Sequence, residues 1–519
     1  MSHSTLIKST FILTLATLVS KLLGSLFRIP LQNIAGDEVL GIFSLVYPVY
    51  MVTLILSVAG IPIAISKLIS EARVARDTTR IRHIYITASW LGLLFGVLSF
   101  SLISLFSKPI SSLLGGEETL PALLIVATSL LVAPYMAVYR GYFQGFEDMR
   151  PTALSQVIEQ FVRAGLIIVL AYVLTSYQFS NDMVAGGVMV GSVAGVLASL
   201  VYLRIKYIRS PHHIQATERY SLQHFKTWSR LILRISIPIA VGTITMALLN
   251  LVDSLTIPLS LSQLGADPTV STAYQYGIYG RGLSLVQIAT VFATSIILPL
   301  VPLLTAKKQE HDRTEMVAII EQTQRLTHLI SWPAAAGLFA LAIPLNVALF
   351  TNAEGSLVIA ILGASSVFTS LTIVSTGVLQ GIDFAKQAAW IILGGVVIKA
   401  GLNLWLVVEM GIAGAGLATL LVYMLLAAGN GVYLLRQIRF RIIESAHLKT
   451  IASSLIMGAV VGLPTLYFSM AHWSRGASFL YVAGAMIVGA ILYSGSLYIM
   501  KAIDRQTLQQ LPIFGKYIR

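Results

Sequence analysis

Cysteine is absent from the 519 residues, which excludes disulfides, thiolate metal sites and cysteine nucleophiles together. Charge is scarce as well. Only 11% of the residues are Asp, Glu, Lys or Arg, against roughly 25% in soluble domains. The signatures GxxxxGK[ST], HExxH and GxSxG are missing, so no nucleotide-driven or hydrolytic centre is written in the chain. What is present is apolar: 56% of residues are hydrophobic, and the mean hydropathy is +0.82.

Apolar runs about 20 to 30 residues long recur from Phe11 to Ile499, each long enough to cross a hydrocarbon core about 30 Å thick. Only helices or a closed barrel satisfy the backbone there. The alternating pattern of a barrel strand is lacking, so the expected fold class is all-α, a polytopic membrane protein. The first run contains Lys21 and Arg28 and no small-residue cleavage pattern, so it is expected to be a helix rather than a signal peptide. The net charge of +13 is dispersed over short loops, which argues against a nucleic-acid partner.

Breaks between runs predict 14 transmembrane helices, at 8–32, 39–70, 83–107, 120–146, 151–176, 182–204, 230–261, 272–305, 326–350, 356–381, 387–409, 412–435, 450–471 and 477–500. With the N-terminus inside, the cytoplasmic segments collect Arg73, Arg76, Arg80, Arg82, Arg219, Arg439, Arg441, Arg505, Lys516, Arg519 and other bases. The opposite loops hold only Lys108 and Arg475. This asymmetry orients both termini to the cytoplasm. No outer segment is long enough for an extracellular catalytic domain.

Two halves of the sequence match. Gly141-Tyr-Phe-Gln144-Gly145 aligns with Gly377-Val-Leu-Gln380-Gly381, Arg163-Ala-Gly165 with Lys399-Ala-Gly401, and Gly41-Ile-Phe43 with Gly277-Ile-Tyr279. Ile29-Pro30-Leu31 falls on Ile257-Pro258-Leu259. Two six-helix lobes in pseudo-two-fold repeat are expected, with two extra C-terminal helices. The boundaries are 1–207 for the N-lobe, 208–229 for a cytoplasmic linker, 230–441 for the C-lobe, and 442–519 for helices 13 and 14 with the tail. Parallel repeats of this kind place a transported substrate between halves. Prolines within spans, among them Pro48, Pro299 and Pro333, predict bent helices.

Eight basic residues fall inside spans: Lys21, Arg28, Lys67, Arg140, Arg163, Arg234, Arg281 and Lys399. Lys67, Arg140 and Arg234 lie near cytoplasmic span ends, where long side chains snorkel to the headgroups. At 1.5 Å per residue, Lys21 is roughly 20 Å into helix 1, Arg163 and Lys399 roughly 18 Å into theirs, and Arg281 roughly 14 Å from the other side. Arg28, seven residues after Lys21, falls on nearly the same helix face. A charge at the bilayer centre costs about 2.5–3.5 kcal/mol even on the lenient insertion scale, so an internal site for an anion is expected. Arg grips phosphate oxygens bidentately and Lys acts as a point charge. Lys21, Arg28, Arg163, Arg281 and Lys399 are therefore the candidate substrate-binding residues. Glu159 lies one turn before Arg163, and a structural pair between them is the competing account of Arg163. Asn250, Asp253 and Ser254 offer oxygens to a small hard cation, or equally answer the arginines, and no firm metal site follows.

Ser20-Lys21-Leu-Leu-Gly24, Arg28-Ile-Pro30, Gly36-Asp37-Glu38, Gly60-Ile-Pro62, Ser66-Lys67, Arg140-Gly-Tyr-Phe-Gln144-Gly145 and Ser155-Gln-Val-Ile-Glu159-Gln-Phe-Val-Arg163 resemble the SpoVB and YtgP group over essentially the whole chain. That group is related to the lipid II flippase MurJ within the multidrug/oligosaccharidyl-lipid/polysaccharide (MOP) superfamily. The resemblance implies a flippase, not an enzyme, whose two lobes alternate access in the bacterial cytoplasmic membrane. The implied cargo is lipid II or a related undecaprenyl-pyrophosphate saccharide, for peptidoglycan or spore cortex synthesis. Lys21 stands at an Arg of the MurJ pattern, and Arg28 is one residue later than the second MurJ arginine. Arg281 resembles the cavity arginine of helix 8, whereas the helix 2 arginine has no counterpart among Tyr47 to Gly60. Asp253 and Asn403 resemble positions of a sodium site in some relatives, with Asn250 nearby. No cofactor is implied, and sodium or proton coupling is expected. The implied partners are the polyprenyl-pyrophosphate-linked saccharide, membrane lipids, and cell-wall synthesis or sporulation proteins, with the chain acting as a monomer. The alternatives are a multidrug cation exporter of the same superfamily, a membrane glycosyltransferase or polymerase, and a non-transporting sporulation or division scaffold. An exporter of cations needs acids in its cavity, and a polymerase needs a catalytic residue beside a large outer loop.

Overall fold

The computed structural model describes residues 3–58, 60–210, 220–263, 271–438, 440 and 445–502. Residues 211–219 of the expected linker, the basic positions Arg219, Arg439, Arg441, Arg505, Lys516 and Arg519, and the tail beyond 502 lie outside the described residues. The described chain is helical throughout, without a strand: α1 (His3–Leu26), α2 (Arg28–Val58), α3 (Ile61–Val74), α4 (Thr78–Leu105), α5 (Ser107–Leu113), α6 (Leu120–Thr128), α7 (Ala133–Gly145), α8 (Met149–Ser176) and α9 (Asn181–Ile208). There follow α10 (Leu222–Gln263), α11 (Thr272–Gln309), α12 (Arg313–Ala340), α13 (Ala342–Phe350), α14 (Ser356–Gly381), α15 (Ala385–Met410), α16 (Ile412–Gln437), α17 (Ser445–Tyr467) and α18 (Arg475–Ile499).

Among the described residues twelve helical stretches are long and apolar enough to cross a membrane, or 13 when the pair α12–α13, bent by 78°, counts as one span. The expected 14 is reached only by dividing the 60-residue stretch Leu15–Val74, about three times the length one crossing needs. Gly36 inside it adopts φ 83°, a left-handed conformation that interrupts the helix where helix 1 was expected to end. Large apolar side chains point outward, including Trp390 at 73% and Leu480 at 73% exposure. An outer surface of that composition is made for lipid.

Local chemistry sets the breaks. Pro30 is the third residue of α2, where its missing N–H costs nothing, and the chain turns just before it at Phe27. Lys21 and Arg28 therefore lie on different helices and do not share a face as expected. Pro62 likewise opens α3 behind Gly60, whose φ is 84°. Asp77, Asp148 and Asp312 cap α4, α8 and α12 by accepting backbone N–H bonds from Arg80, Arg150 and Glu315. Pro48, Pro299 and Pro333 stay inside helices.

The repeat is visible in the breaks. α4 gives way to α5 at Phe106 (φ −98°, ψ 14°) and α12 to α13 at Leu341 (φ −101°, ψ 15°). Arg76 and His311 occupy matching positive-φ turns before α4 and α12, and Glu147 and Asp383 do so before α8 and α15. A Cβ on Gly145 would fall 2.7 Å from the Cβ of Ile69, and one on Gly381 would fall 2.9 Å from that of Leu304. The two matched motifs thus bury their glycines against α3 and α11. In lipid, such close packing rather than water exclusion holds helices together.

Contacts divide the chain into two compact units: one of residues 1–280 with 403–408, the other of 281–402 with 409–519. The division falls at Gly280, inside α11, and not in the linker. Within the first unit, α2 meets α11 reciprocally. A Cβ on Gly41 would lie 1.7 Å from the Ala273 carbonyl oxygen, and one on Gly277 would lie 1.9 Å from the Asp37 carbonyl oxygen. Residues 37 and 273, like 41 and 277, are matched by the repeat, so the contact exchanges its partners as a two-fold axis does.

Candidate functional site

Two arginines are buried together in the first unit. Arg28, on the first turn of α2, is 4% exposed, and Arg163, midway along α8, is 6% exposed. Their neighbours are aromatic. The Arg28 guanidinium carbon lies 5.8 Å from the ring centres of both Phe43 and Tyr47. That of Arg163 lies 4.9 Å from Tyr47 and 5.7 Å from Phe27. Arg163 also donates from Nη1 to the Tyr47 hydroxyl at 3.3 Å. Phe43 and Tyr47 are one turn apart on α2, stacked at 5.5 Å, with Phe27 edge-on to Phe43 at 5.4 Å.

Among the described residues no carboxylate forms an ion pair with either arginine, and the Nε atom of each is buried without a hydrogen-bond partner. Ring faces return about 2 kcal/mol each when desolvated, less than the several kcal/mol that taking a charge out of water costs. Donors left over on two adjacent guanidiniums match an oxyanion better than any other ligand.

The competing pair between Glu159 and Arg163 is not formed. Glu159 accepts instead from Arg140 at 2.6 Å, and Arg140 also donates to Ser155 and Ser199. Arg140 is thus a bridging residue of α7, α8 and α9, not a snorkelling one. Lys67 and Arg234 are exposed, as snorkelling requires. Lys21 is also exposed on α1 and does not enter the Arg28–Arg163 pair.

Asp253 and Asn403 are brought together. Asp253 is 1% exposed; its carboxylate accepts from the Tyr279 hydroxyl and from Asn403 Nδ2, each at 2.9 Å. Asn403 Nδ2 also reaches Thr256 Oγ1 at 2.9 Å, while Asn403 Oδ1 is buried without a hydrogen-bond partner. A carboxylate beside an unsatisfied amide oxygen suits a small hard cation. Asn250 does not join them: its side chain is exposed. Among the described residues no cluster of three His, Cys, Asp or Glu exists that would hold a transition metal.

In the second unit the expected cations have other surroundings. Arg281 is fully buried, and its Nη1 donates to Asn346 Oδ1 at 2.9 Å, Asn352 Oδ1 at 2.8 Å and the Glu354 carbonyl at 3.4 Å. Asn346 reaches the same carbonyl at 2.7 Å, and Phe350 lies under the guanidinium at 5.5 Å. Arg281 therefore fastens the turn after α13, where a cation also answers the helix's free carbonyls. Lys399 is 1% exposed, with its ammonium 5.8 Å from the Tyr423 ring centre. Lys21 belongs to the first unit, and Arg281 and Lys399 belong to the second.

A family profile described as polysaccharide biosynthesis protein matches residues 6–307. The chain belongs to that family. Three Bacillus subtilis proteins align along nearly its whole length. They are the membrane protein YabM (30% identical, 98% of this chain and 95% of that one), stage V sporulation protein B (27%, 100% of both) and the lipid II flippase MurJ (26%, 95% of both). A solved structure of lipid II flippase MurJ in an inward closed conformation superimposes with a TM-score of 0.68 at 16% identity, over 95% of this chain and 100% of that one. An inward-facing multidrug transporter of the MOP superfamily gives 0.65 at 16% identity, over 80% and 94%. The chain is thus a multi-pass protein of the bacterial plasma membrane with a flippase-type transporter fold, and its relatives are not enzymes.

The aromatic cage was the part that sequence reading missed. Its signal was present: Phe27, Phe43 and Tyr47 stand near Arg28 in the first two spans, and Tyr47 opens the segment 47–60 noted only for lacking an arginine. Tyr279 was seen only as part of a repeat, and its bond to Asp253 went unread.

Proposed function

We propose that this family member flips a polyprenyl-pyrophosphate-linked saccharide across the cytoplasmic membrane by alternating access, with both termini cytoplasmic. The observation that carries the reading is the pair Arg28 and Arg163, buried beside shared rings with donors unused and no carboxylate on either. Two adjacent guanidiniums suit a pyrophosphate, which spreads its charge over several oxygens. Tyr47 holds one of them in place and offers a face to the other. The same pair disfavours a cationic drug as cargo, since like charge would repel it.

Lys21, exposed on α1, supplies a first contact for an anionic headgroup, and Lys399 supplies charge in the second unit. Arg281 serves the fold. Asp253, Asn403 and Thr256 would hold a sodium ion, whose entry would satisfy Asn403 Oδ1 and couple transport to the sodium gradient. The kinship with lipid II flippase MurJ and with stage V sporulation protein B supports lipid II, or a precursor of the spore cortex, as the cargo.

The test is complementation: expression of this chain during depletion of a host's own lipid II flippase. Restored growth and restored lipid II exposure at the outer leaflet are the expected results. An expressed, inserted protein that leaves lipid II inside would eliminate this cargo.

A further inference from the structure

Among the described residues each compact unit contains one face-to-face pair of histidines, and neither pair belongs to the sites above. In the first unit His83 of α4 stacks on His224 of α10, with ring centres 4.1 Å apart and planes at 24°. In the second, His328 of α12 stacks on His447 of α17 at 4.5 Å and 29°. The sequences around them match. Arg80-Ile-Arg-His83-Ile resembles Arg325-Leu-Thr-His328-Leu, and His224-Phe-Lys-Thr resembles His447-Leu-Lys-Thr.

The pairs do not occupy equivalent heights: His83 is the sixth residue of α4 and His328 the sixteenth of α12. The same contact thus recurs at a different register, which simple inheritance of the repeat does not supply. In both cases one partner lies on α4 or its repeat counterpart α12, and the other lies in the first turn of α10 or α17. Both α10 and α17 follow a basic intervening segment. One ring of each pair is buried (His83 at 6%, His447 at 4%), and the other is partly accessible.

We propose that each pair is a proton-responsive clamp that docks the start of α10 or α17 onto its unit. Two neutral imidazoles, or one neutral and one charged, stack favourably. Two imidazoliums at this separation repel. Acidification therefore loosens the clamp, on the side that the basic residues assign to the cytoplasm.

The surrounding groups hold the rings without replacing them. Around the first pair, Tyr220 approaches both rings edge-on or tilted and bonds Thr87 at 2.6 Å, while Ser221 meets His224 Nδ1 at 3.1 Å. Arg82 is on α4 beside His83, Lys226 is on α10, and Arg80 lies over Trp228 and bridges to Glu71 of α3. Around the second, Trp332 donates to His328 Nδ1 at 2.9 Å, Arg325 reaches the Ala502 carbonyl, Lys449 reaches the Lys501 carbonyl, and Glu321 lies earlier on α12. Because bases predominate near the rings, a second proton meets added positive charge. The Trp332 bond also keeps His328 Nδ1 as an acceptor, a role that protonation at that atom abolishes.

Hydrogen–deuterium exchange on the full chain in lipid nanodiscs tests this, between about pH 8 and about pH 3 with intrinsic rates corrected. The amides read are those of 226–232 and 449–455, which make helical bonds. In the native protein their protection should fall at least about tenfold on acidification, as like charges in contact require. His224→Phe should abolish the loss in 226–232 alone, and His447→Phe the loss in 449–455 alone, since the remaining imidazole no longer faces a second imidazolium. Flat protection in the native protein overturns the proposal without any variant. So does an undiminished loss in the phenylalanine variants, or an equal loss in α8 and α14. The outcome is independent of which cargo is carried.

Discussion

Arg28 with Arg163 in one unit and Arg281 in the other are all nearly removed from solvent, yet they have opposite environments. Arg281 meets two asparagine oxygens and a carbonyl within 3.4 Å. Arg28 and Arg163 meet ring faces and one hydroxyl, with Nε of each unsatisfied. Burial at membrane depth therefore does not by itself mark a binding residue. The difference lies in whether the fold has already used the donors.

The largest effect that would sharpen the comparison is on folding. Arg281→Ala leaves Asn346, Asn352 and the Glu354 carbonyl without their shared donor, and should lower stability by about 3 kcal/mol or more. Thermal unfolding in detergent measures this, and Arg281→Lys should recover only part of it. By contrast, Arg28→Met and Arg163→Met should abolish flipping while changing stability by less than about 1 kcal/mol in either direction, because each removes a charge that the fold does not answer. If these variants unfold as readily as Arg281→Ala, the two environments are not distinct in kind.

A smaller effect separates Arg163 from its sequence neighbour. A double-mutant cycle between Arg140 and Glu159, both about one-sixth exposed, should give a coupling of about 1–2 kcal/mol. The cycle between Glu159 and Arg163 should give about 0.5 kcal/mol or less. Equal couplings would restore the pair that the spacing suggested.

The smallest effect concerns the ion. Asp253→Asn should remove sodium dependence of transport while leaving cargo binding within about threefold, because the carboxylate hydrogen-bonds Tyr279 and Asn403 and supplies the formal charge of that site. Transport that ignores both sodium and this substitution would remove the coupling role.

Hydropathy, charge asymmetry and internal matching determine a great deal by themselves: a helical membrane protein, most span positions, the two-fold repeat and the family. These are properties of period and composition, which act along the chain before any packing. The family resemblance implied a shared role for Asp253 and Asn403, 150 residues apart, and the tertiary structure alone shows their bonds with Tyr279 and Thr256. The partners of the buried cations were not legible. Spacing made Glu159 available to Arg163 one turn away, but whether a carboxylate turns toward its own helix or toward Arg140 depends on how α7, α8 and α9 pack. The turn fastened by Arg281 closes 65 to 73 residues later in the chain. Lys21 and Arg28 were placed on one face by a continuous helix that Phe27 and Pro30 interrupt. Tertiary structure alone decided which charges are spent on the fold and which keep donors unsatisfied, because that choice is made by donors and acceptors meeting across helices.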